Sequence, residues 1–265
     1  MGSVIDRAKR AWSDASEENI TLLSAGIAFY AFLAMVPLLA VVVLTYGLVA
    51  DAETVAGHAQ TLAETLPPSA AQLVTDQLDS VIETRTGAQG LGLLLALSLA
   101  LFSARSGALA IITGMNIAFH ADENRGILKA NLMALAITAG AVLALGLVAG
   151  ASALSGMLRA GFAGAASFLV VGAAGFAGAC ILYRIGPNRP SPAWHDIRPG
   201  AALFAIGWMI ASAGFGFYAA NLGSYNATYG SLGAVIVLMT WLFLSAFFLL
   251  FGAHFSAVCA RAPAK

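Results

Sequence analysis

Six long apolar segments decide what this chain can fold into. Each is long enough to cross the hydrocarbon core of a bilayer as a helix, which requires about 20 mostly apolar residues. None of them shows the period-two alternation of a barrel strand. The sequence therefore predicts an all-α polytopic membrane protein with six transmembrane helices. The predicted spans are residues 21–50, 90–118, 130–154, 162–184, 200–221 and 232–259.

Charged residues are too few for a water-soluble domain. They make up 10% of the chain, and hydrophobic residues make up 60%, whereas soluble domains carry roughly 25% charged residues. Such a chain cannot cover a water-facing surface with polar groups. Both cysteines, Cys180 and Cys259, fall in predicted spans. We interpret them as small packing residues rather than metal ligands.

The basic residues predict the orientation of the spans. If the N-terminus lies in the cytoplasm, ten basic residues fall on the inside, while only Arg85 and Arg159 fall on the outside and Arg105 lies within a span. This bias follows the positive-inside rule and predicts that both termini are cytoplasmic. The ten inside residues are Arg7, Lys9, Arg10, Arg125, Lys129, Arg184, Arg189, Arg198, Arg261 and Lys265.

Two segments outside the spans have helical patterns of their own. Residues 1–19 are charged but place apolar side chains on one face, which predicts a cytoplasmic interfacial amphipathic helix. Residues 51–89 contain the breaker Leu66-Pro67-Pro68-Ser69, which predicts an extracytoplasmic helical hairpin between spans 1 and 2. This hairpin either rests on the bundle or caps a pathway as a lid. Residues 20–265 are then one six-helix domain. The apolar face within 1–19 consists of Val4, Ala8, Ala11 and Trp12.

Arg105 is a charge in the middle of an apolar segment. A charged side chain at mid-depth costs roughly 2.5–3.5 kcal/mol on insertion scales, so it is a functional-site hypothesis by default. The alternative is a structural arginine that bonds the carbonyls of a neighbouring helix. No acidic residue lies deep in any predicted span. Arg105 must therefore use carbonyls, hydroxyls, water or an anionic ligand, and phosphate suits the guanidinium fork best.

Other polar residues in the spans complete the candidate site. Pro37 removes a backbone donor and predicts a kink in the first span. Ser98 shares a helix face with Arg105, seven residues on. His254 is either a proton-linked switch or a satisfied structural donor. The candidate substrate-binding residues are Arg105, Ser98, Tyr30, Pro37, Asn116 and His254.

A basic, proline-rich inner loop supplies a second candidate surface. Arg184, Arg189 and Arg198 lie in or beside it. They either contact anionic lipid headgroups, at about 1 kcal/mol per basic residue, or serve only as a topology signal. Membrane lipids are therefore the expected partners.

Sequence motifs for catalysis are missing from the chain. It has no phosphate-binding loop, no His-Glu-x-x-His zinc motif and no Gly-x-Ser-x-Gly elbow, and its four histidines are scattered. We therefore expect neither an enzyme nor a bound cofactor or metal, and no nucleic-acid partner.

Several motifs resemble those of one family of bacterial inner-membrane proteins. They include Ala25-Gly-Ile-Ala-Phe-Tyr30, Leu101-Phe-Ser-Ala-Arg-Ser-Gly107, Tyr229-Gly-Ser-Leu-Gly233 and Phe251-Gly-Ala253. Together they resemble the YihY/virulence factor BrkB family over nearly the whole chain. The family pattern usually has Glu after the last Gly-Ala, where this chain has His254.

The resemblance implies a location in the bacterial inner membrane and three classes of function. The family was once linked with ribonuclease BN, a label that is physically implausible for a six-span protein without catalytic groups. Its members have also been associated with serum resistance, salt tolerance and lipid movement. The implied function is a transporter or flippase-like protein for an anionic lipid or lipid-linked substrate. The alternatives are a small-ion or proton-coupled exporter linked to salt tolerance, with His254 titrating, and a non-transporting scaffold or assembly factor.

Overall fold

The computed structural model describes residues 4–49, 88–138, 140, 160–190, 192–221 and 231–261. These residues form seven α-helices and contain no strand, which confirms the all-α class. The helices are α1 (Val4–Glu17), α2 (Ile20–Val49), α3 (Ala88–Ala118), α4 (Ile127–Thr138), α5 (Ala160–Ile185), α6 (Trp194–Asn221) and α7 (Ser231–Arg261).

Each predicted span overlaps one helix from α2 to α7, although the third, 130–154, is described only at residues 130–138 and 140. Three stretches are long and apolar enough to cross a membrane: Phe168–Ile185, Trp194–Phe217 and Val235–Arg261. Two shorter apolar stretches, Ile20–Ala34 and Ile127–Thr138, begin α2 and α4. Three spans are therefore described, and the count of six stays a prediction. The predicted outer hairpin at 51–89 lies outside the described residues except for its last two, which begin α3.

The chain divides into two compact units, each of which is described by itself. The first contains Met1–Tyr30 and Arg105–Lys265, and the second contains Ala31–Ala104. In the second unit, α3 exposes large apolar side chains, among them Leu94, Leu95 and Leu99. Exposed leucines along a helix of this length are typical of a surface that faces lipid.

The core of the first unit forms where α6 crosses α7 at two glycines. A Cβ atom added to Gly200 would collide with the Gly252 carbonyl oxygen and with Ser256 Oγ. One added to Gly252 would collide with the Tyr183 hydroxyl of α5. Small residues let helix backbones approach closely in membranes. The crossing therefore requires glycine at both positions.

Two hydrogen bonds hold the same crossing. The buried Tyr183 hydroxyl donates to the Leu249 carbonyl oxygen at 2.7 Å, and Ser256 Oγ donates to the Ile197 carbonyl oxygen at 3.2 Å. Each joins α7 to a different neighbour, α5 in the first case and α6 in the second. Because both hydroxyls are buried, a missing partner would leave a polar group unsatisfied in an apolar core.

Helix α1 packs along the C-terminal part of α7. Ala11 and Ala15 are fully buried, and Ala11 lies in a cluster with Phe255 and Val258. The small alanine side chains allow α1 to approach closely. Of the predicted apolar face, Ala8 and Ala11 pack in this cluster, whereas Val4 is 64% exposed and Trp12 is 56% exposed.

We predict that Gly252→Ala destabilises the protein while Gly178→Ala does not. The first substitution places a methyl group against the Tyr183 hydroxyl and the backbone of Gly200, and overpacking of this kind costs about 1–3 kcal/mol. Gly178 of α5 has nothing within 4 Å of the added carbon, and alanine is the better helix former. The melting temperatures of the two variants in detergent, monitored by circular dichroism, are compared. Equal melting temperatures for both variants would contradict the close crossing.

Candidate functional site

Arg105 is held at one edge of its guanidinium group. Its Nε donates to Oδ1 of Asn131 on α4 at 2.8 Å, in a partly buried setting. Among the residues that the structure describes, no carboxylate forms an ion pair with Arg105, and Nη1 and Nη2 have no hydrogen-bond partner. Asn131 thus orients the guanidinium, and within the described residues the four N–H groups of Nη1 and Nη2 are not used.

Asn116 uses both polar ends of its side chain within the protein. Its Nδ2 donates to Glu123 Oε2 at 2.6 Å, and its Oδ1 accepts from the backbone N–H of Asn188 at 2.7 Å. The residue is 5% exposed. It therefore ties the turn after α3 to the segment after α5. Asn188 Nδ2 reinforces the link by donating to the Asp122 carbonyl oxygen at 2.9 Å.

The candidate headgroup residues are held by aromatic rings and carbonyl oxygens. Arg184 lies 4.7 Å from the centroid of the Trp194 ring and donates to the Pro192 carbonyl oxygen at 3.1 Å. Arg189 lies 5.4 Å from the Phe119 ring. Arg198 on α6 is exposed. Cation–π contacts hold the faces of the two stacked guanidinium groups and leave their edges for hydrogen bonding.

His254 is the most deeply buried ionisable member of the candidate set. The side chain is 1% exposed, and its Nε2 lies 2.8 Å from Oε2 of Glu18. Its Nδ1 lies 2.8 Å from the Leu250 carbonyl oxygen. Glu18 is 236 positions away in sequence and stands just before α2. Sequence reasoning missed this pairing, and the only available signal was the acidic pair Glu17-Glu18 at the membrane boundary.

Glu18 also contacts a second histidine, so the pair belongs to a larger network. Its Oε1 lies 3.3 Å from His120 Nε2. Arg261 Nη2 lies 2.7 Å from His120 Nδ1, and Arg261 Nη1 lies 3.4 Å from Asp14 Oδ2. We call these five residues (Asp14, Glu18, His120, His254 and Arg261) the polar end cluster. It joins α1, the end of α3 and α7.

Two left-handed backbone positions bring this cluster together. Asn19 has φ 55° and His120 has φ 51°. The second ends α3 in a Schellman arrangement, with His120 N–H bonded to Ile117 O at 2.9 Å and Ala121 N–H to Asn116 O at 2.8 Å. Among residues other than glycine, Asn and His are enriched in this conformation. The turn fixes His120 beside Glu18.

The other three candidate residues are Ser98, Tyr30 and Pro37, and the described contacts of the first two lie within their own helices. Ser98 is exposed and donates to the Leu94 carbonyl oxygen at 2.7 Å, within its own helix. Tyr30 is partly exposed, and its ring meets that of Phe29 edge-on at 5.6 Å. Helix α2 runs through Pro37 as one helix from Ile20 to Val49.

In the first unit, Arg105, Asn116 and His254 bond to different partners and belong to separate polar networks. Over the described ranges, no three His, Cys, Asp or Glu side chains are grouped to hold a metal ion.

Comparison with known proteins gives one family and several relatives. The model of the family described as Virulence factor BrkB matches residues 11–265. The ribonuclease-like protein YfkH of Bacillus subtilis strain 168 is 33% identical over 251 residues, 89% of this chain and 88% of the relative. A UPF0761 membrane protein of Aeromonas salmonicida strain A449 is 26% identical over 259 residues, 93% and 86% of the two chains. No solved structure matches.

We predict that Asn116→Ala lowers stability much more than Ser98→Ala. The first change leaves the Asn188 N–H without its buried acceptor and removes the donor to Glu123, and a buried group left unsatisfied costs about 1–3 kcal/mol. The second removes an exposed hydroxyl that bonds only to its own helix. Thermal unfolding of both variants in the same detergent measures the difference. A change in lipid or anion binding by Asn116→Ala at unchanged stability would instead favour a ligand-binding role.

Proposed function

This chain belongs to the Virulence factor BrkB family of membrane proteins, and we propose that it is a transporter or flippase-like protein for an anionic lipid or lipid-linked substrate. We place it in the bacterial inner membrane. Four features support the proposal: the described spans, the partly buried Arg105 with one hydrogen bond to a described residue, the basic residues at the ends of the spans, and the family resemblance.

The proposed topology has six spans with both termini in the cytoplasm. The three described spans support it, together with the apolar character of the other predicted segments and the distribution of basic residues. Residues 1–19 form the interfacial helix in this arrangement, and 20–265 form a single domain with the outer hairpin at 51–89. Exposed Val4, Ile5 and Trp12 on α1, beside basic residues, suit contact with an anionic membrane surface.

Arg105 carries the proposal. A guanidinium group fixed at Nε by Asn131 presents its other edge, the one that binds the oxygens of a phosphate as a fork. In the proposed topology α3 is the second span, and Arg105 near the middle of this thirty-one-residue helix then has this edge inside the membrane. An anionic headgroup is the lipid part whose passage through apolar surroundings needs such a partner.

In this proposal the basic residues at the inner ends of the spans attract the anionic headgroup of the substrate. Arg184 and Arg189 are stacked on rings, and Arg198 is exposed. Each basic residue near an anionic leaflet contributes about 1 kcal/mol of attraction. In this proposal the protein is not an enzyme, and the ribonuclease-like name applies to the Bacillus subtilis relative alone.

One observation favours a second candidate function, a small-ion or proton-coupled exporter. The contact between buried His254 and Glu18 at 2.8 Å places a titratable pair at the end of α7. Proton-linked transport commonly uses such pairs. This candidate predicts flux that depends on pH or sodium, whereas the lipid proposal predicts movement of a phosphate-bearing probe. Absence of both kinds of flux would leave a scaffold or assembly factor.

We predict that Arg105→Gln slows lipid movement at least about tenfold, because a hydrogen bond to a charged group contributes roughly 1.5–3 kcal/mol. The measurement uses proteoliposomes with a trace of fluorescent phosphatidylglycerol, whose outer-leaflet population is bleached by dithionite. Lys129→Gln is the matched control, since it removes one exposed positive charge. Equal rates in wild-type and protein-free vesicles would end the lipid proposal. Wild-type rates in Arg105→Gln would remove the role of Arg105.

A further inference from the structure

The contact between His254 and Glu18 fixes where a proton must be. His254 Nδ1 lies 2.8 Å from the Leu250 carbonyl oxygen, which can only accept, so Nδ1 carries a hydrogen. The other ring nitrogen, Nε2, lies 2.8 Å from a carboxylate oxygen of Glu18. A neutral ring protonated at Nδ1 has a lone pair on Nε2. Two lone pairs do not approach to 2.8 Å without a proton between them.

The same reasoning makes His120 neutral. Arg261 Nη2 always carries hydrogens and lies 2.7 Å from His120 Nδ1, so Nδ1 is the acceptor. The remaining hydrogen of the neutral ring is on Nε2, 3.3 Å from Glu18 Oε1. Glu18 therefore accepts from His120 on one oxygen and shares a proton with His254 on the other. The side chains of His120 and Glu18 are 49% and 23% exposed, so this side of the network faces solvent.

We propose that Glu18 and His254 form a proton-binding site that holds α1 against α7, with His120 as its connection to solvent. With the proton bound, His254 is an imidazolium ion paired with the Glu18 carboxylate. When the proton leaves, the neutral ring keeps one hydrogen, so it can donate to the Glu18 carboxylate or to the Leu250 carbonyl oxygen but not to both. The ion pair that is lost holds a histidine that is 1% exposed against a glutamate that is 23% exposed, and the carboxylate regains hydration if α1 moves away. Raising the pH therefore releases α1, and lowering it restores the contact.

Other charged groups around α7 are placed differently. Within the described part of the chain, Glu18 and Leu250 are the hydrogen-bond partners of the His254 ring. Asp14 and Arg261 link the same two helices at 3.4 Å but are 32% and 50% exposed, and exposed pairs contribute little. The other titratable groups described on the helices of this unit are Asp6, Arg7, Lys9, Arg10 and Glu17 on α1, Tyr30 on α2, Arg105 on α3, Lys129 on α4, Cys180, Tyr183 and Arg184 on α5, His195, Asp196 and Arg198 on α6, and Cys259 on α7.

The inference goes beyond the proposed transport of lipid, because it concerns how the N-terminal helix is attached whatever the substrate is. It depends on two contacts of 2.8 Å and on the burial of His254. It also assigns a role to Glu18 and His120, which no sequence motif indicates.

Nitrogen NMR of the full chain in lipid nanodiscs tests the protonation directly. Histidine labelled with ¹⁵N distinguishes a doubly protonated ring from a neutral one, and His254→Gln identifies the signal. We expect both nitrogens of His254 to be protonated in the wild type and only Nδ1 in Glu18→Gln. A neutral His254 ring in the wild type, under conditions in which α1 is docked, would overturn the proposal.

Amide hydrogen exchange of α1 tests the consequence. Wild type, Glu18→Gln and Asp14→Asn are compared at equal pH, so that the intrinsic pH dependence of exchange cancels. In Glu18→Gln the new side-chain amide donates to neutral Nε2 of His254 and still accepts from His120, so this variant should keep α1 docked at every pH. We expect wild-type exchange in α1 to rise at least about tenfold relative to Glu18→Gln as the pH is raised, with Asp14→Asn following the wild type.

A second variant keeps the test informative if Glu18→Gln folds poorly. His120 has φ 51°, which glycine adopts freely, so His120→Gly removes the ring at little cost to the turn. It should speed α1 exchange but keep the pH dependence, because Glu18 and His254 remain. A wild-type to Glu18→Gln ratio that does not change with pH would overturn the proposal, as would a pH dependence that disappears in His120→Gly.

Discussion

The crossing of α6 and α7 at Gly200 and Gly252 is the constraint on which the rest of the first unit depends. Backbone meets backbone there, and Tyr183 closes the contact from α5. This fixes the rotation of α7 about its axis. His254 follows Gly252 by two residues, so the same contact sets where its ring points. Any larger side chain at the crossing would separate the helices and move the ring from its partner.

Three polar side chains of this apolar protein form hydrogen bonds with residues on other elements. Arg105 uses Asn131, Asn116 uses Glu123 and Asn188, and His254 uses Glu18. An unpaired polar group in such surroundings costs several kcal/mol, so each finds a partner on another element. Asn116 is fully engaged and acts as a brace. Among the described residues Arg105 is bonded at Nε alone, which is why the transport proposal rests on it.

Much of the helical layout could be predicted because it follows from local properties. Apolar length alone placed α2 to α7 to within a few residues at most described ends, and the family resemblance is confirmed by the match over residues 11–265. The contacts of the candidate site were harder to predict from the sequence. Arg105 stands out as a charge among apolar neighbours, but Asn131 and Glu18 look like ordinary polar residues at helix ends. Nothing periodic links Glu18 to His254 across most of the chain.

The sequence by itself determined the all-α membrane class, because hydrophobicity is summed along each segment and needs no partner. It also marked Arg105, since a charge that lipid cannot solvate is visible wherever it stands. Only the tertiary structure decided which polar groups meet: that Asn131 orients Arg105, that Asn116 braces two turns, and that Glu18 reaches His254. Such pairings depend on helix rotation and on the left-handed turns at Asn19 and His120, which are set by packing between segments far apart in the chain.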